Sequence, residues 1–176
     1  SEAEDLEKKA EDTNREIKKI AEELKKHAED TNREIEKKVE DLRREAERIL
    51  REVARKGVDE DVLRAIEEVI KTIEDLARKV LEDNRKVVED VERLVEEVLK
   101  RNAKVVDEVR EKARDSSEEV LERLERKLRE SKREVDRLAE KIKKLNDDSR
   151  KRVDEVVERV RRLLEDVKRK VDEARR

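Results

Sequence analysis

Along the chain Val, Leu, Ile and Ala recur every three or four positions between charged residues, which is the spacing of one helix face, and the pattern breaks at only two places. The first break is VARKGVDEDV. There Arg55 and Lys56 suit the negative end of a helix dipole, Gly57 can take the left-handed position after a helix end, and Asp59 can cap the next helix. The second is EKARDSSEEVLERL, where Ser116 and Glu119 have capping-box spacing and Asp115 is an alternative cap. Ser1 and Glu4 repeat that spacing at the start. The pattern predicts helices over about 2–56, 60–114 and 117–175, with joints near 57–59 and 115–116. At ~1.5 Å per residue each helix is on the order of 80 Å long.

Joints this short place consecutive helices antiparallel, so the expected fold is all-α: a single up-down-up three-helix bundle over 1–176. The repeat length predicts its twist. AEDTNREI occurs at 10–17 and again at 28–35, a shift of 18 residues. Leu6, Leu24 and Leu42 share that phase relation, as do Val62, Val80 and Val98 in the second helix and Leu124, Ile142 and Val160 in the third. Eighteen residues are five turns of ~3.6 residues, so the apolar stripe runs parallel to the axis and the helices are expected to be long and straight with essentially no supercoil. The stripes cover arcs of about 120° on the first and third helices and about 140° on the second, enough to face two neighbours. A closed monomer is expected on that ground, and a bundle that accepts a partner helix or self-associates is the alternative.

Composition first points the other way. Charged residues make up 59% of the chain and hydrophobic ones 33%, which by itself suggests disorder. Disorder of that kind also needs a large net charge, whereas 50 basic residues here nearly cancel 53 acidic ones. The signs are interleaved: residues 1–56 carry 16 basic and 18 acidic groups, 59–114 carry 13 and 17, and 115–176 carry 21 and 18. No single-sign stripe suited to nucleic acid or an anionic membrane is present. Cys, Met, Pro, Phe, Tyr and Trp are absent, and Gly and His occur once each. This argues against thiol chemistry, cysteine or histidine metal clusters, glycine-rich phosphate loops and aromatic stacking. No cofactor is expected, and no apolar run approaches the roughly 18 residues of a membrane span. Lone His27 lies on a flank of its stripe and is expected to be solvated.

The uncharged polar residues inside the stripes are the informative ones. Thr13 and Thr31 share a phase with Ile49, Asn14 and Asn32 with Leu50, Asn84 and Asn102 with Ile66, and Ser131 and Ser149 with Val167. Asn146 stands where Leu128 and Leu164 stand in the neighbouring repeats. Antiparallel geometry gives residues of equal height numbers summing to about 115 across the first joint and about 231 across the second. These sums bring together two sets, Thr13/Asn14/Asn102/Ser131 and Thr31/Asn32/Asn84/Ser149 with Asn146 beside them, about 27 Å apart by helix rise. Buried polar layers cost desolvation unless every group is paired, and their benefit is to penalise a slipped register. No base accompanies the hydroxyls, so catalysis is not expected.

Taken together, the 18-residue repeat, the capped helices of similar length, a core of Val, Leu, Ile and Ala, and the matched Thr, Asn and Ser positions resemble de novo designed, parametrically generated helical bundles with hydrogen-bond networks. The resemblance spans the whole chain. It implies high stability, no inherited activity, no required partner and no natural compartment; soluble, cytoplasmic accumulation is expected on recombinant expression. Spectrin-like repeats are typically shorter with core aromatics, and exchangeable apolipoproteins usually carry prolines and wider lipid-binding faces. Thr72 has no role in the pattern.

Overall fold

The computed structural model describes residues 2–112 and 117–174. Three α-helices account for nearly all of them: α1, Glu2–Arg55; α2, Glu60–Lys112; and α3, Glu118–Ala174. Among the described residues there is no strand. Their first turns are acidic, with Glu2, Glu4 and Asp5 in α1, Glu60 and Asp61 in α2, and Glu118 and Glu119 in α3. Carboxylates there complement the positive end of the helix dipole.

Between α1 and α2 the chain turns on Gly57, at φ 69°. A side chain in that left-handed region collides with the following carbonyl, and glycine has none to collide. The last turn tightens as Lys56 N–H donates to the Glu52 and Val53 carbonyls and Gly57 N–H to Ala54. Asp59 opens α2 through its backbone carbonyl, which accepts from Val62 N–H at 3.1 Å. Ahead of α3 it is Ser117 whose carbonyl accepts from Val120 and Leu121. Ser116, Asp115, Ser1 and the two terminal arginines lie outside the described residues; Glu119 sits in the first turn of α3.

The chain forms two compact units, each containing a segment of all three helices: Ser1–Ala28 with Arg85–Leu145, and Glu29–Asn84 with Asn146–Arg176. In the first unit Ala3, Leu6 and Ala10 pack with Val106, Val109, Leu124 and Leu128. Ile17 and Leu24 pack with Val91, Val95, Val98, Val135 and Ile142. The second unit has one continuous core from Ile35 through Ile49 and Val53 to Ile73, Val157 and Leu164. Ala10, Ile17, Leu42, Ala46 and Leu124 are completely enclosed. Burying an aliphatic side chain of Val to Ile size contributes about 1.5–3 kcal/mol relative to leaving it exposed.

Ion pairs give the α1–α3 direction in both units and the α1–α2 direction in the first, while in the second the turn at Gly57 brings α2 back along α1. Glu7 meets Arg110 and Lys25 meets Glu92, so α1 and α2 run antiparallel in the first unit. Seven ion pairs between α1 and α3 among the described residues share one spacing in sequence, 116 residues. In the first unit these are Lys9–Glu125 and Glu16–Lys132. In the second they are Glu34–Arg150, Lys38–Asp154, Glu45–Arg161, Glu52–Lys168 and Lys56–Asp172. A constant offset is the signature of parallel helices held in one register. The up-down-up order of each unit follows.

Candidate polar layers

Asn84 on α2 is the hub of the second unit's polar layer. Its Nδ2 donates to Asn32 Oδ1 on α1 at 3.0 Å, and its Oδ1 accepts from Ser149 Oγ on α3 at 3.2 Å. One amide thus uses its donor end toward one neighbour and its acceptor end toward the other. Thr31, completely buried, accepts from Arg150 Nη2 at 3.0 Å. Arg150 Nε lies 3.0 Å from a Glu34 carboxylate oxygen, close enough for charge attraction though not aligned as a hydrogen bond. Asn146 is buried in the same unit and is not without a partner.

The first unit's layer is built differently. Asn102, only 1% exposed, donates through Nδ2 to Asn14 Oδ1 at 2.9 Å. Among the described residues nothing donates to Asn102 Oδ1, and the Ser131 hydroxyl, on a residue 8% exposed, has no hydrogen-bond partner. Thr13 is half-buried and makes no side-chain hydrogen bond among the described residues. Two substitutions separate the layers. Where the second unit has Arg150 and Asn146, the first has Lys132 and Leu128, one repeat earlier. Lys132 pairs with Glu16 at 2.7 Å, and Leu128 joins the apolar core.

Arg150 is the residue that stripe analysis overlooks. Its charge places it outside the apolar stripe, yet its guanidinium bends inward to Thr31 while pairing with Glu34. A planar cation with several donors can serve a buried hydroxyl and a carboxylate together, which an ammonium on a flexible stem does less well. The available signal was its place beside Ser149 and 116 residues after Glu34.

Ion pairs along the helices shift titration in the directions their charges dictate. The Lys9 ammonium bonded to Glu125 holds that carboxyl below the usual range, and Arg43 does the same to Glu40. Asp154 and Glu16 hold Lys38 and Lys132, respectively, above the usual lysine range.

Chemically, the layers assemble amides, hydroxyls and one guanidinium. Ser149 Oγ is bonded to an amide oxygen, which has no useful basicity at neutral pH and cannot withdraw a proton from it. Among the described residues no group of three His, Cys, Asp or Glu is placed to hold a metal ion. None of the described helices is long and apolar enough to cross a membrane. Comparisons of the chain with protein-family models, curated proteins and solved structures give no match.

Proposed function

We infer that this chain is a designed structural protein without a natural biochemical activity, a monomeric helical bundle whose buried polar layers specify register. The observation that carries the reading is Asn84, bonded at both ends of its amide to two different helices. A helix set built on an 18-residue repeat retains most of its apolar burial when one member slides by a repeat. Sliding α2 by a repeat in the direction that brings Asn84 to the level of Ile66 would leave its donor and acceptor facing Ile49, Leu50 and Val167, at about 1–3 kcal/mol per unsatisfied group. Straight helices without supercoil, no required cofactor or partner, and soluble cytoplasmic accumulation on recombinant expression belong to the same reading.

The test is the double variant Asn84→Leu/Asn102→Leu, studied by thermal unfolding and by size exclusion with light scattering. Thermal stability is expected to hold or rise while species of other register or mass appear. A variant that simply unfolds, or one that remains a single homogeneous monomer, overturns the assignment. For the unaltered chain, a mass that grows with concentration or on adding a helical peptide would favour a bundle that accepts a partner.

A further inference from the structure

The unfinished layer of the first unit opens onto a cavity. Asn102, Ser131 and Val105 line a space of about 400 Å³ between α2 and α3, together with six charged side chains, among them the Arg101–Glu134 ion pair, 3.2 Å apart. The two most buried polar side chains on its wall are the two with unused capacity: an amide oxygen lacking a donor and a hydroxyl lacking any partner among the described residues. In the second unit the equivalent amide oxygen is taken by Ser149, and that unit also holds an additional buried carboxamide, Asn146, where the first has Leu128.

We propose that this cavity is a binding site for a small neutral molecule bearing a primary carboxamide. The ligand's N–H donates to Asn102 Oδ1 and its carbonyl accepts from the Ser131 hydroxyl, so both groups gain partners that no described residue supplies. Primary amides suit the site because they carry donor and acceptor on one planar unit. Binding is weak, because so small a molecule has few atoms with which to offset its lost freedom.

Titrating the full-length ¹⁵N-labelled chain with acetamide tests this by NMR. The Asn102 side-chain amide and Ser131 backbone signals are expected to shift saturably, half-complete in the ~1–10 mM range. Asn84 and Ser149 should drift only linearly. N,N-dimethylacetamide, which keeps the carbonyl and loses both donors, should produce no saturable shift. Ser131→Val should abolish saturation while Ser149→Val, the control in the closed layer, preserves it, with helicity checked by circular dichroism. Linear shifts at all four residues, equal saturation at both layers, or equal response to the dimethyl analogue overturns the proposal, and these readouts on the unaltered chain decide even if a Val variant fails to fold.

Discussion

Ser149 reaches the Asn84 amide oxygen across the α2–α3 contact at 3.2 Å, while Ser131, its counterpart one repeat earlier, makes no such bond to Asn102. The two serines occupy the same phase of the same helix. Their surroundings, and not their position on the helical wheel, separate them.

This difference is measurable. Ser149→Ala removes a hydrogen bond and leaves the Asn84 acceptor unpaired, so urea unfolding should show a loss of about 1–2 kcal/mol. Ser131→Ala deletes a hydroxyl that no described residue uses and should fall within ~0.5 kcal/mol of the unaltered chain. Equal losses would mean that the layers are energetically alike.

The α1–α3 ion pairs predict a charge-reversal pattern. Glu45→Arg brings like charges together opposite Arg161, and the companion Arg161→Glu does so opposite Glu45. Each single reversal should lower the unfolding midpoint, and the double reversal should recover most of the loss. The coupling expected for a pair that is still open to solvent on the Arg161 side is ~0.2–1 kcal/mol and should shrink in high salt. Additive losses in the double variant would show that the pair is geometric only.

Stability should decline at both ends of the pH scale. Glu125 and Glu40 are held below the usual carboxyl range by Lys9 and Arg43, so their contribution is complete above about pH 4.3 and disappears as pH falls through their lower folded values. Lys38 and Lys132 are held above the usual lysine range by Asp154 and Glu16. Their contribution is complete below about pH 10.4 and disappears as pH rises through their higher folded values. Denaturant midpoints between pH 2 and 12 should therefore form a broad plateau with two shoulders. A midpoint rising below pH 4 would contradict the carboxylate half.

Gly57 offers a backbone test. Its φ of 69° makes Gly57→Ala destabilising by about 1–2 kcal/mol, while a D-alanine introduced there by ligation should be neutral or stabilising. Equal effects of the two enantiomers would show that the joint relaxes out of the left-handed region.

Periodicity carried the fold well because a helix face is a property of spacing. The helix ends given by Arg55, Gly57 and Asp59 fall within a residue or so of the observed bounds, since dipole, left-handed turn and first-turn chemistry are all local. The polar residues were legible as positions on a stripe and not as bonds. Nothing in the phase of Ser131 distinguishes it from Ser149, because rotamers answer to neighbours such as Leu128 and Asn146. Arg150 escaped for a related reason: hydrophobic patterning classifies by residue type, and a guanidinium can lie at the rim with its tip turned inward. The ladder between α1 and α3 was implicit in the two height sums, which differ by the observed 116. Those sums hold for charged residues as much as for the uncharged polar ones.

That offset also bears on the order in which the molecule assembles. Contacts across either joint close short loops near the turn, whereas the seven α1–α3 ion pairs join residues 116 positions apart and must await the ordering of what lies between. A hairpin of neighbouring helices is the natural nucleus, and the ladder zips on the native side of the barrier. Changes to Glu45 or Arg161 then act chiefly on how fast the protein comes apart and little on how fast it forms, which makes these two charges a handle on its lifetime.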